Sequence, residues 1–167
     1  MNHPCVLVVM GVSGCGKTVV AEKLVDRLHW PFQEGDALHP AANVEKMRAG
    51  TPLTDADRWP WLDAIAAWID ARLAAGQDGI VTCSALKHAY RDRLIGMRAG
   101  VRLVYLYGSR DLLAARIGAR RGHFMPASLL DSQLATLEPP TPDERPIALD
   151  VVATPDQLAA GVIAALG

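Results

Sequence analysis

The stretch that most constrains the fold is Gly11-Val12-Ser13-Gly14-Cys15-Gly16-Lys17-Thr18, preceded by the apolar run Val6-Leu7-Val8-Val9-Met10. A strand-length apolar segment runs straight into a glycine-rich turn, and a helix pattern over residues 18–28 follows. This is the G-x-x-x-x-G-K-[ST] arrangement in the setting it requires, strand then loop then helix. Each residue type has a physical task. The glycines let the backbone turn tightly and aim several N–H groups at one anion. The start of the helix adds its positive end. Lys17 is long enough to reach the β- and γ-phosphates of a nucleotide, and the Thr18 hydroxyl suits Mg²⁺. Residues 11–18 are therefore expected to form a nucleotide-phosphate site.

The rest of the chain alternates the same two patterns. Strands are expected at 32–34, 79–83, 101–107 and 147–152. Helices are expected at 40–48, from a Thr54 cap to 73, at 86–97, from a Ser109 cap, at 128–137, and from Thr154-Pro155 onward. Pro60 falls in the first turn of the long helix or splits it in two. The alternation implies an α/β fold: a five-stranded parallel sheet flanked by helices, with ligands at the carboxyl ends of the strands. The 167 residues are enough for one domain, expected over 1–167. A formal net charge of −1 gives no general attraction to nucleic acid or an anionic membrane. Apolar runs are too short to span a bilayer, and the start Met-Asn-His-Pro-Cys lacks the features of a signal peptide. Three cysteines without metal-type spacing fit a reducing cytoplasm better than a disulfide framework.

Several constellations can carry chemistry. Glu34 and Asp36 end the second strand at spacing two, so both carboxylates are expected on one strand face, turned toward the phosphate site. One could hold Mg²⁺ through water while the other takes a proton from a hydroxyl; the plainer alternative is a solvated acidic turn. The end of the third strand, Val81-Thr82-Cys83-Ser84, carries no acid, so a carboxylate for Mg²⁺ has to come from elsewhere. Arg116, Arg120 and Arg121 precede Gly122-His123-Phe124, which reads either as a basic lid over phosphates or as a surface patch. His39, Lys46, Arg58, Lys87 and Arg91 are scattered cations near strand ends or helix starts. Cys15 reads as a small residue tolerated within the loop, and its position at a helix N-terminus adds the alternative of a reactive thiolate.

These residues stand in segments that resemble a known family. The segments are Met10 to Thr18, Gly35-Asp-Ala-Leu-His-Pro40, Asn43 to Met47, Gly50-Thr-Pro-Leu-Thr-Asp-Ala-Asp-Arg58 and Trp61-Leu62. Cys83-Ser-Ala-Leu-Lys87, Tyr90-Arg91-Asp92, Leu106-Tyr-Gly108, Arg121-Gly-His-Phe124 and Leu129-Leu-Asp-Ser-Gln133 complete them. Together they resemble the gluconokinases of the thermoresistant type, small P-loop kinases related to shikimate and adenylate kinases. The resemblance implies a P-loop NTPase fold of the nucleoside-monophosphate/shikimate-kinase type, with a lid at about residues 117–137. It implies transfer of the ATP γ-phosphate to the 6-hydroxyl of D-gluconate, with Mg²⁺, in a homodimer.

By position, the resemblance implies that Gly11, Val12, Ser13, Gly14, Cys15, Gly16, Lys17 and Thr18 hold ATP, helped by Arg116, Arg120 and Arg121. Lys17, Asp36 and Arg120 would be catalytic, and Thr18 with Glu34 would serve the metal, Glu34 through water. Asp36, His39, Arg58, Ser84, Ala85, Leu86, Lys87, Arg91 and His123 would form the substrate side, with Arg58 chosen for the sugar-acid carboxylate. Cys15 and Thr18 stand where serine is common in the family, and Glu34 where aspartate is usual. Two other readings compete. A shikimate-kinase-like enzyme would share the P-loop, acidic pair and lid, but not the Gly35–Pro40 and Ser84–Lys87 segments. A nucleotide switch would need an Asn-Lys-x-Asp segment, whereas Asn2 and Asn43 are not followed by lysine.

Overall fold

The computed structural model describes residues 3–119 and 127–167. Five strands are present: β1 Val6–Met10, β2 Phe32–Glu34, β3 Gly79–Thr82, β4 Val101–Tyr107 and β5 Ile147–Asp150. The helices are α1 Lys17–Leu28, α2 Ala41–Arg48, α3 Asp55–Ala74, α4 His88–Leu94, α5 Arg110–Ala119, α6 Ala127–Thr136 and α7 Pro155–Leu166. Short 3₁₀ turns lie at Gly35–Leu38 and Pro142–Glu144.

All strand pairs are parallel, in the order β2-β3-β1-β4-β5. β1 is central, and each of its five residues is 0% exposed. Its alternating side chains split the core into two layers. Leu7 and Val9 face one layer with Val20 and Leu24 of α1 and Leu158 and Val162 of α7. Val6, Val8 and Met10 face the other, with Trp61, Leu62, Ile65 and Ile69 of α3 and Tyr90 and Leu94 of α4. Burial on both faces is why β1 is apolar throughout rather than alternating. The chain goes from β1 out to β2, back to β3, then across β1 to β4 and β5. The carboxyl end of β1 is thus a topological switch point, where an open crevice forms.

The element order matches the sequence expectation; several bounds shift by a residue, and three larger differences have a physical cause. The helix expected at 86–97 is only His88–Leu94. Leu86 is instead buried, and its carbonyl accepts from Arg91 and from the Glu138 N–H. Pro60 lies in the second turn of an unbroken α3, neither in its first turn nor at a split. Proline forfeits one backbone bond there, and burial of Trp61, Leu62 and Ile65 on the sheet outweighs that loss. β5 stops at Asp150, two residues early, because the Asp150 carboxylate accepts the Val152 N–H at 2.9 Å and turns the chain.

The start of α3 is locked by a reciprocal cap. Thr54 Oγ1 accepts from the Asp57 N–H at 3.2 Å, and Asp57 Oδ2 accepts from the Thr54 N–H at 2.8 Å. Lys46 of α2 donates to the same oxygen at 2.8 Å. The Lys46 bond, then the Thr54 N–H, hold the Asp57 carboxyl down from 3.8 to about 2. A depressed carboxyl stabilises the fold above its unfolded value and loses that contribution as pH falls through its folded value. Asp57→Asn is therefore expected to lower Tm at neutral pH. The gap from the parent protein should close between pH 3.8 and about 2 in thermal melts followed by circular dichroism.

Candidate active site

The loop after β1 is closed by a bond from the Cys15 N–H to the Val12 carbonyl at 3.2 Å. Gly14 and Gly16 take φ of +83° and +101°, the left-handed region that glycine enters without strain. Gly16 precedes α1 with no side-chain cap and no acid in the first turn, so the helix's first N–H groups face the loop's hollow unopposed. Lys17 Nζ folds back on the loop, donating to the Gly11 and Val12 carbonyls at 2.9 and 3.1 Å.

Beside the loop, Thr18 Oγ1 lies 3.1 and 3.0 Å from the two Glu34 carboxylate oxygens. Thr82 Oγ1, at the end of β3, donates to Glu34 Oε1 at 2.6 Å. The acid-free end of the third strand therefore serves by orienting the carboxylate that β2 supplies. A hydroxyl and a carboxylate are hard oxygen donors of the kind Mg²⁺ takes. Among the described residues no group of three or more His, Cys, Asp or Glu could hold a metal ion. That donor count fits Mg²⁺, which keeps several waters and phosphate oxygens as ligands.

Asp36 does not share a strand face with Glu34, contrary to the alternation argument. β2 ends at Glu34, and Asp36 sits on the 3₁₀ turn, exposed. The cause is Gly35. Its N–H donates to Thr82 Oγ1 at 3.1 Å and its carbonyl accepts from Trp61 Nε1 at 2.8 Å. A Cβ at Gly35 would stand 1.8 Å from the Thr82 carbonyl oxygen, so only glycine fits.

His39 stacks on Trp61 with ring centroids 4.1 Å apart. Burial holds its pKa below 6.5, with the Arg58 charge acting the same way against the opposing pull of Asp36. Asn43 Nδ2 faces His39 Nδ1 at 3.1 Å and donates to the Asp57 carbonyl at 2.9 Å. An amide nitrogen is only a donor, so Nδ1 accepts and the neutral ring carries its proton on Nε2.

Arg58 Nη1 donates to the Tyr90 hydroxyl at 3.0 Å, and that hydroxyl donates to Asp55. Lys87 Nζ also reaches Asp55, at 3.1 Å. Arg58 and Lys87 each lie 5.6 Å from the Tyr90 ring centroid, so two cations converge on one aromatic. Arg91 does not join them. It is 2% exposed, with Nε and Nη2 on Glu144 at 2.6 and 3.2 Å and Nη1 on the Ala85 and Leu86 carbonyls at 2.9 and 3.2 Å. The expectation that Arg91 binds substrate is corrected: it fastens the 84–87 turn from beneath. Ala85, at φ +46°, and Leu86 are buried, so this turn offers backbone rather than these two side chains.

Cys15 is 2% exposed, packed in the layer with Leu106 and Val12, which removes the basis for a reactive surface thiol. Arg116 lies on α5 and is half-buried. Arg120, Arg121 and His123 lie outside the described residues. Of the expected lid, the part over Ala127–Thr136 is α6, whose Leu130 is buried in the core. Sequence reasoning missed Gln133, which bonds Ser13 from α6. The segment ending in Gln133 was visible as a family-like motif without an assigned task.

The family described as AAA domain matches residues 6–140. The chain is 56% identical over 153 residues to the gluconokinase of Gluconobacter oxydans (strain 621H), covering 92% of this chain and 86% of that protein. It is 41% identical over 159 residues to the thermoresistant gluconokinase of Escherichia coli (strain K12), covering 95% and 89%. The crystal structure of a gluconokinase from Sinorhizobium meliloti 1021 is similar with a TM-score of 0.87 at 47% identity, over 99% of this chain and 93% of that one.

Burial makes the thiols testable. Cys83 is pushed up to about 12 by desolvation, and Cys15 is enclosed. Iodoacetamide on the folded protein is expected to leave both unmodified in peptide mass spectra, with full labelling only in denaturant. Rapid loss of activity through Cys15 labelling would contradict the packing described.

Proposed function

The chain belongs to the gluconokinase family, and from that membership we propose how its residues transfer the γ-phosphate of ATP to the 6-hydroxyl of D-gluconate, giving 6-phospho-D-gluconate and ADP. The observation that carries the proposal is the junction at the end of β2. There the Thr18–Glu34 pair, beside the phosphate loop, is one residue removed from the turn that presents Asp36.

Lys17 exchanges the Gly11 and Val12 carbonyls for phosphate oxygens, while the N–H groups of residues 11–18 cradle the chain of phosphates. Thr18 and Glu34 would hold Mg²⁺, Glu34 through water. When bound, that ion supplies positive charge against the phosphate oxygens. Asp36 orients the 6-hydroxyl and accepts its proton as the bond to phosphorus forms. Its exposure, with no hydrogen bond from its carboxylate among the described residues, suits that task.

Gluconate brings a carboxylate that must be anchored away from the phosphates. Arg58 pairs with it through its planar fork, with Lys87 as the second cation. The His39 Nε2–H donates to a sugar hydroxyl, and the 84–87 turn offers Ser84 and backbone groups. Arg116, Arg120 and Arg121 are assigned to the nucleotide on their motif, and His123 to the substrate side of the lid. The remaining parts of the proposal are one kinase domain, a homodimer and a cytoplasmic setting. The first two rest on the family resemblance. The last is supported by three free cysteines, and among the described residues no helix is long and apolar enough to cross a membrane.

The test is ADP release from ATP with D-gluconate, shikimate, glucose, AMP or no acceptor. Turnover is expected with gluconate; turnover with shikimate instead would overturn the assigned acid pocket. Asp36→Asn is expected to lower kcat by roughly 10²–10⁴-fold, the usual span for a lost general base, with little change in ATP affinity. Arg58→Ala is expected to raise the gluconate KM and leave the ATP KM near its original value. A near-normal kcat in Asp36→Asn would remove that residue from the chemical step.

A further inference from the structure

One family-like segment, Leu129-Leu130-Asp131-Ser132-Gln133, has no task in the mechanism above. It lies on α6, which is fixed to the body at two points. Leu130 is buried in the layer beneath β1, and Asp131 pairs with Arg110 at 2.6 Å. From this fixed helix the half-buried Gln133 reaches the phosphate loop. Its Oε1 accepts from the Ser13 N–H at 2.7 Å, and its Nε2 donates to Ser13 Oγ at 2.9 Å. One carboxamide thus satisfies a donor and an acceptor on the same loop residue.

Ser13 is where the loop most needs an outside hold. The Cys15 N–H to Val12 carbonyl bond makes residues 12–15 a tight turn with Ser13 and Gly14 at its centre. Gly14 at φ +83° fits the third position of a type II turn. The central peptide of such a turn can flip toward the type I form. A flip would reverse the Gly14 N–H, one of the groups available to an anion. Glycine does not resist that change by itself. Residues on either side are anchored by other means, Val12 by burial and Cys15 by the turn bond.

We propose that Gln133 is a positioning residue for the nucleotide loop: by gripping Ser13 on both backbone and side chain, it fixes the turn in the form that presents its N–H groups to the phosphates of ATP. Gln133 acts through Ser13 and makes no contact with the reacting atoms. The proposal rests on the loop being the nucleotide site. It predicts an effect on ATP and not on gluconate, although α6 leads to both sites. Glu138, just beyond α6, donates its N–H to the Leu86 carbonyl at 2.8 Å and accepts from the His88 N–H at 2.7 Å, next to the 84–87 turn. A general loosening of α6 would disturb both substrates together.

The experiment is steady-state kinetics with each substrate varied in turn. Gln133→Ala is expected to raise the ATP KM about tenfold, the effect of losing two modest hydrogen bonds, with the gluconate KM within about twofold. Ser13→Ala, which keeps the backbone bond, is expected to give a smaller rise, and the double variant less than the product of the two. Gln133→Glu keeps the shape and the acceptor but loses the donor, and gives a readable rise if the alanine variant does not fold. An unchanged ATP KM, or equal rises for both substrates, would overturn the proposal. Lys17→Ala separates the two levels: retained ATP turnover in that variant would remove the nucleotide-loop reading itself, whereas its loss beside a normal Gln133→Ala removes only the role of Gln133.

Discussion

The Thr82 hydroxyl donates to Glu34 and accepts from the Gly35 N–H, so the last residue of β3 fixes both the carboxylate and the turn that follow β2. Glu34 is paired with Thr82 in the sheet register, and the absence of a Cβ at Gly35 lets the two backbones touch. From this seam the Glu34 carboxylate points to Thr18, and Asp36 stands exposed on the 3₁₀ turn beyond the sheet. The indole of Trp61, rooted in the core under α3, holds the Gly35 carbonyl and gives His39 a surface to stack on. Glu34, the turn carrying Asp36 and the His39 ring are thus held by one strand junction and the apolar layer behind it.

Charge is handled differently on the two sides of the crevice. Beneath the 84–87 turn, Arg91 and Glu144 are both nearly buried, an arrangement that is costly unless the donors are satisfied. Four bonds from the guanidinium, two to the carboxylate and two to carbonyls, meet that condition and make the turn rigid. At the mouth, Arg58 and Lys87 share Tyr90 and Asp55 with partial exposure. Cations held in such a shared network can exchange one partner for an incoming carboxylate without a bare charge being left behind. The buried pair is a fastener, and the exposed network is the one proposed to receive the sugar-acid carboxylate.

What was legible in the sequence was what is local. The phosphate loop is eight consecutive residues whose conformation follows from their own glycines, and the parallel sheet follows from the alternation of patterns. What depended on distant partners was not legible. The pairing of Glu34 and Asp36 on one strand face failed because Gly35, pressed on Thr82, forces a 3₁₀ turn between them. Arg91 read as a ligand because nothing within several residues reveals Glu144 beneath it. The reactive alternative for Cys15 arose because helix position is visible in sequence and enclosure by Leu106 is not. Gln133 went unassigned because its partner lies 120 positions away. The Thr54–Asp57 cap, four consecutive residues, was read correctly as a helix start.

The sheet order also bears on how the molecule is made. β1, apolar at every position, is made before the other four strands, yet its two hydrogen-bonding neighbours are β3 and β4. Neither exists until residues 79–82 and 101–107 have been synthesised. Until residue 82 has been made this apolar strand therefore has both edges open, and until residue 107 it has one, so in that interval an unpaired edge is available to a neighbouring chain. A central strand made before both of its neighbours sets an interval of vulnerability during biogenesis, and that interval ends only when β4 is laid down.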